Sequence, residues 1–181
     1  MKRSQIEKYL YSDGQKLFEL SKQIKLENIG NKVFLRGLIE YSNRCSKNCF
    51  YCGIRQSNKH IQRYQIDDNT VIDLTLFAWK KGLGSIVLQS GEQKSKTFSL
   101  KIEKLLKKIM KLTNSDLGIT LSLGEQEQDT YQRWKDAGAK RYLLRIETSN
   151  QELYKKLHPE NHSYEKRIDS INKSLERLRI L

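Results

Sequence analysis

Apolar residues along the chain alternate between a helical spacing and short dense runs. Leu17, Leu20 and Ile24 recur on one face, so 5–28 is predicted to be helical, with Ser12-Asp13-Gly14 as a start or hinge and Asn28-Ile29-Gly30-Asn31 as its end. Val33–Tyr41 is dense in apolar residues and predicts a largely buried strand. Asp67, Asp68 and Asn69 offer caps for a helix over 70–81, closed by Gly82, and Ser85–Gln89 predicts a second buried strand. Ser99 can cap a helix over 100–113, where Ile102, Leu105, Leu106, Ile109 and Leu112 form a stripe and most of the lysines face water. A third strand is predicted over Asp116–Leu123, a helix over 126–137 closed by Gly138, and a fourth strand over Arg141–Glu147. A short helix over Gln151–Leu157 stops before Pro159, and a last helix over Tyr164–Leu181 carries Ile168, Ile171, Leu175 and Leu178.

Strand and helix therefore alternate four times. This favours an α/β fold, a parallel sheet with right-handed crossovers. An eight-unit barrel takes roughly 200–250 residues. The reading is a partial (β/α) barrel of about four parallel strands (32–181) behind an N-terminal helical extension (1–31).

The chain has 181 residues, 34 Lys and Arg against 21 Asp and Glu, and a formal charge of +13. Such a balance can serve nucleic-acid binding. Here the excess is spread over helix faces with no interleaved aromatic platform, which reads as a solvated basic surface instead. No apolar run reaches membrane-spanning length. Met1-Lys2-Arg3 is followed by no apolar stretch, so no signal peptide is expected. With reduced cysteines, the expected location is the cytoplasm.

All three cysteines, Cys45, Cys49 and Cys52, fall within eight residues as C-x3-C-x2-C, at the end of the first predicted strand. Parallel α/β folds place their chemistry there. An odd count argues against a disulfide framework. Three readings stand: buried free thiols, a zinc site with His60 as fourth ligand in an unusual C-x3-C-x2-C-x7-H spacing, or an iron–sulfur cluster. A four-iron cluster held by three thiolates leaves one iron open to a small molecule.

Charged residues also sit where strands meet loops. Glu92 follows the second strand, and Arg145 and Glu147 would share one face of the fourth. Buried there, they would form an internal ion pair or contact a ligand. His60, His158 and His162 are expected to face solvent or to bond locally.

The run Arg36-Gly37-Leu38-Ile39-Glu40-Tyr41-Ser42-Asn43, followed by the cysteine motif and Tyr51-Cys52-Gly53-Ile54-Arg55, resembles the HydE family of radical SAM maturases of [FeFe]-hydrogenase. Leu88-Gln89-Ser90-Gly91-Glu92, Leu143–Asn150, Leu157-His158-Pro159 and Arg167 extend the resemblance over nearly the whole chain. It implies that Cys45, Cys49 and Cys52 ligate a [4Fe-4S] cluster, with Tyr51 at the aromatic position of the motif. Ser90, Gly91 and Glu92 would stand where the methionine amino group of S-adenosylmethionine (SAM) binds. Glu147 would contact its ribose or amine, and Arg167 its carboxylate. Thr120, Ser122, Arg141 and Arg145 would line a cavity for a small anionic or organometallic precursor. A reductant protein would supply the electron that splits SAM into methionine and a 5′-deoxyadenosyl radical.

Members of that family continue through four more strands. The resemblance thus implies a fragment, or a chain completed by a separate C-terminal half, with no cysteines for an accessory cluster. Methylornithine synthase and biotin synthase share the expected fold and cluster and are sibling readings. From another class, a zinc- or cluster-stabilised basic binding module remains an alternative.

Overall fold

A computed structural model describes residues 3–12 and 14–180. The chain divides into two units, Met1–Phe34 and Leu35–Leu181. In the first, α1 (Arg3–Leu10) and α2 (Gln15–Asn28) replace the single predicted helix, broken around Gly14 at φ 74. Of the predicted hinge, Asp13 lies outside the described residues, as does Leu181 of the predicted last helix. Gly30, at φ 74, closes α2 by donating to the Lys25 and Leu26 carbonyls.

The second unit is a five-stranded, wholly parallel sheet in the order β1-β2-β3-β4-β5. Its strands are β1 (Gly37–Ser42), β2 (Ser85–Ser90), β3 (Gly118–Ser122), β4 (Ala139–Tyr142) and β5 (Arg179–Ile180). Helices α3 (Asp68–Lys80), α4 (Lys96–Leu112), α5 (Gln128–Asp136), α6 (Gln151–Leu157) and α7 (Tyr164–Leu175) connect them. Each strand lies beside its sequence neighbour, with no reversal of order. That is the winding of a (β/α) barrel rather than of a doubly wound sheet.

One face of the sheet carries Ile39, Tyr41, Ile86, Leu88, Ile119, Leu121 and Tyr142, all buried with Ile102, Leu106 and Trp134 of the helices. The alternate positions Glu40, Gln89, Thr120, Ser122 and Arg141 put polar groups on the other face. Trp134 is pinned by its Nε1, which donates to the Ser99 carbonyl at 3.0 Å. Among the described residues no helix is long and apolar enough to cross a membrane.

Several expectations shift. β1 starts at Gly37, and Val33, Phe34 and Leu35 are exposed rather than part of a buried strand, because β2 offers partners only from Gly37 onward. Helix α4 begins at Lys96, since Ser95, not Ser99, accepts the Phe98 N–H; Ser99 lies buried inside the helix. Strand β4 ends at Tyr142, followed by one further sheet bond from Leu143 N to the Leu121 carbonyl. The last helix ends at Leu175, and the residues after it form β5, a fifth strand beyond the four expected, paired with β4.

Candidate metal centre

The cysteine loop leaves the C-terminal end of β1, where the pairing register shifts by one residue at Tyr41. Its path is fixed by backbone groups of other elements. Ser46 N donates to the Glu92 carbonyl at 2.9 Å, and Phe50 N to the Leu157 carbonyl at the end of α6, also at 2.9 Å. Arg63 closes the far side: its guanidinium donates to the carbonyls of Asn43, Ile54, Arg55 and Asn58 at 2.7–3.1 Å. Gly91 lets β2 approach: a Cβ there would meet the Arg44 carbonyl oxygen and stand 2.6 Å from Cys45 Cβ.

All three cysteines are free thiols, Cys49 buried and the others half-buried. Cys45 Sγ accepts two backbone N–H groups, from Lys47 and Glu92, each at 3.4 Å. Such donors can stay on the sulfur when it ligates a metal, fixing its position from outside the ligand set. Among the described residues, the group whose three ligand atoms lie within 4.8 Å of one another is Cys49, His158 and His162. Three free thiols on one loop, with two backbone N–H groups on Cys45 Sγ, are a donor set of the kind that holds an iron–sulfur cluster. His60 is exposed and belongs to no such group, so the zinc reading through His60 fails.

Behind the loop lies a buried charged network. The Glu125 carboxylate lies 3.0 Å from Lys47 Nζ, 3.0 Å from Arg167 Nε and 3.1 Å from His162 Nε2. Glu92, 4% exposed, accepts the Glu125 N–H at 2.8 Å and faces Lys47 Nζ at 3.5 Å. Burial opposes the charge on Glu125, but His162, Arg167 and Lys47 outweigh it and hold the carboxyl far below the usual range. Burial pushes the Cys49 thiol up, partly offset by Tyr51 and Arg167.

Of the two expectations for His158 and His162, exposure fails, since both are buried against the loop, while a local bond holds for His158, whose Nδ1 lies 2.9 Å from the Tyr154 carbonyl. His162 Nδ1 stands 3.6 Å from Cys49 Sγ, and His158 Nε2 stands 3.5 Å from the Tyr51 hydroxyl. The turn after Pro159, closed by His162 N on the Pro159 carbonyl, brings both rings under Tyr154.

Arg145 and Glu147 do not share a strand face. Both lie beyond β4, both are exposed, and Glu147 has φ 65, a left-handed turn that ends any extended run. Neither forms the internal ion pair read from the alternation. Glu147 is close enough for its charge to act on Tyr51 and His158, which brings it to the cysteine loop. Arg167 is drawn inward; it pairs with Glu125 and donates to the Arg145 carbonyl at 3.2 Å. Ser90 Oγ donates to the Gly91 carbonyl. Thr120 pairs with Val87 and Arg141 across the sheet, with Ser122 two residues on, and Thr120 Oγ1 is buried without a hydrogen-bond partner in the structure.

Lys47, Arg63 and Glu125 were not singled out from sequence. Glu125 carries a readable signal: Leu121-Ser122-Leu123-Gly124-Glu125 repeats the Leu-x-x-Gly-Glu pattern of Leu88–Glu92, each at a strand's C-terminal end.

The family model for the Radical SAM superfamily matches residues 39–180. The chain is 41% identical over 155 residues to the [FeFe] hydrogenase maturase subunit HydE of Thermotoga maritima, a match covering 86% of this chain and 43% of that one. Its fold is similar to that of the FeFe-hydrogenase maturase HydG from Carboxydothermus hydrogenoformans (TM-score 0.80, 24% identity, 90% of this chain and 38% of the other). It is similar also to methylornithine synthase, PylB (TM-score 0.79, 22% identity, 91% and 48%). The chain thus spans less than half the length of each of these proteins.

Proposed function

We propose, for a chain that belongs to the radical SAM superfamily, that Cys45, Cys49 and Cys52 hold a [4Fe-4S] cluster whose open iron takes SAM. In this reading the protein reductively cleaves SAM in the HydE manner, for assembly of the hydrogenase diiron centre. Held there, the cluster would supply the electron for reductive cleavage of SAM to methionine and a 5′-deoxyadenosyl radical. The observation that carries the reading is the C-x3-C-x2-C loop at the C-terminal end of the first strand of a sequentially wound parallel sheet.

This chain's own residues orient and shield. The Lys47 and Glu92 amides donate to Cys45 Sγ and hold it in place. Tyr51 and Glu147 stand at the loop's rim, where Glu147 can accept from SAM hydroxyl or amine groups. Ser90, Gly91 and Glu92 form the turn beside the cysteines for the methionine end. Arg167 supplies positive charge for its carboxylate. Thr120, Ser122 and Arg141, with Arg145 beyond the strand, offer polar and cationic contacts to a small anionic or organometallic substrate. The electron would come from a reductant protein, and the free thiols suit a reducing, cytoplasmic setting.

The test is electron paramagnetic resonance of the reconstituted, reduced chain. A reduced-cluster signal whose shape changes on adding SAM supports an open iron. A signal indifferent to saturating SAM contradicts it.

A further inference from the structure

We propose that the cluster-free chain holds one divalent cation of the zinc type on Cys49, His158 and His162. The site shares Cys49 with the cluster, so the two metal states exclude each other. It stands on its own geometry and does not depend on the cluster reading.

The three ligand atoms lie within 4.8 Å of one another, and all three residues are buried. Cys49 Sγ and His162 Nδ1 are already 3.6 Å apart. A tetrahedral zinc with Zn–S of about 2.3 Å and Zn–N of about 2.0 Å needs its donors about 3.3–3.5 Å apart, so Cys49 and His162 already fit and the wider separations must close by up to about 1.5 Å, within reach of side-chain rotation.

The outer partners make the arrangement a ligand set rather than a chance cluster. A metal-binding histidine presents one ring nitrogen to the ion and donates the other N–H to a carbonyl or carboxylate. His158 Nδ1 lies 2.9 Å from the Tyr154 carbonyl, which leaves Nε2 for the cation. His162 Nε2 lies 3.1 Å from Glu125 Oε1, which leaves Nδ1, the atom facing Cys49. Arg167 Nη2 also reaches His162 Nε2, at 3.0 Å. With a cation on Nδ1, Nε2 carries the proton and donates to Glu125, and Arg167 keeps its contacts with Glu125 and the Arg145 carbonyl. The Tyr51 hydroxyl, 3.5 Å from His158 Nε2, stands beside the remaining position, open to an oxygen donor or water. Binding replaces the Cys49 thiol proton with the metal.

The consequence is competition: zinc seated here withdraws one of the three cysteines from cluster assembly.

The experiment titrates zinc into the anaerobically reduced, cluster-free chain against a chromophoric chelator, and repeats it with cobalt(II) as an absorbing substitute. One cation per chain is expected, with thiolate-to-cobalt absorption and tetrahedral visible bands. Cys49→Ala should abolish the thiolate band. His158→Gln and His162→Gln should each weaken binding by at least ~10–100-fold. Cys45→Ala and Cys52→Ala should bind as the unaltered chain does. Circular dichroism reports folding of every variant, and His158→Gln, outside the Glu125 network, serves if His162→Gln unfolds. Loss of binding in Cys45→Ala or Cys52→Ala equal to that in His158→Gln would place the cation on the cysteine triad and overturn the proposal. So would a folded, unaltered chain that takes up no zinc from the chelator.

Discussion

Arg167 Nε and Glu125 Oε1 lie 3.0 Å apart inside the protein, their side chains 11% and 5% exposed. The contact is an ion pair rather than an aligned hydrogen bond, since Arg167 Nε finds no geometrically sound acceptor. Removing one member of a buried pair leaves the other charge uncompensated. Glu125→Gln should therefore destabilise the chain by about 3 kcal/mol, read from denaturant unfolding. Because folding depresses the Glu125 pKa from 4.5, its contribution is complete above about pH 5 and drains away as pH falls through and below 4.5. The melting temperature of the unaltered chain should drop on acidification, and Glu125→Gln should remove part of that slope. An equal slope in both proteins would contradict the role given to this carboxylate.

Gly91 predicts a different failure. A methyl group there collides with the Arg44 carbonyl and Cys45 Cβ, neither of which is the free end of a flexible side chain. Gly91→Ala should lower iron retention after reconstitution while leaving helix content unchanged by circular dichroism. Full iron loading would show that the β2 turn and the cysteine loop can separate without loss.

Arg63 holds four carbonyls of the loop that contains the cysteines. Arg63→Ala should cost at least ~2 kcal/mol and make residues 43–58 the first site of limited proteolysis in the metal-free chain. Lysine cannot span two pairs of carbonyls with one ammonium, so Arg63→Lys should rescue little. Protease patterns identical to the unaltered chain would count against this.

For SAM, Glu147→Gln is the informative change, because Glu147 is exposed, lies outside the buried network, and its charge is felt at Tyr51. Loss of a charge-assisted hydrogen bond of about 1.5–3 kcal/mol predicts ~10–100-fold weaker SAM binding by calorimetry, with iron content unchanged. Unaltered affinity would remove Glu147 from the proposed site.

Much of the architecture is legible in the apolar spacing. Cap and stop residues locate α3 to within two residues and α6 at its observed bounds, and the density of Ser85–Gln89 locates β2. The cysteine spacing marks the loop. Errors arise where apolar pattern and pairing diverge. Val33–Leu35 read as strand but have no partner strand, and Leu143–Glu147 continue the alternation of β4 after its neighbour β3 has ended. The start of α4 hides in a polar run, Lys94–Thr97, where Ser95 caps the helix four residues before the expected Ser99.

The site is legible in part. Cys45, Cys49, Cys52 and the Ser90–Glu92 turn are local signals. His158, His162, Glu125 and Lys47 meet through long-range packing: Lys47 and Glu125 are 78 residues apart, Cys49 and His162 113. His158 does bond locally, to the Tyr154 carbonyl, but its burial follows from the turn at Pro159 and the stacked ring of Tyr154, which no local pattern displays.

The central claim, a four-iron cluster on three cysteines, is tested most directly by iron and acid-labile sulfide counted per chain after anaerobic reconstitution. The account predicts roughly four of each in the unaltered chain. It predicts almost none in the combined Cys45→Ala, Cys49→Ala, Cys52→Ala variant, with His60→Ala unchanged. A triple variant that keeps a full complement of iron and sulfide would contradict it.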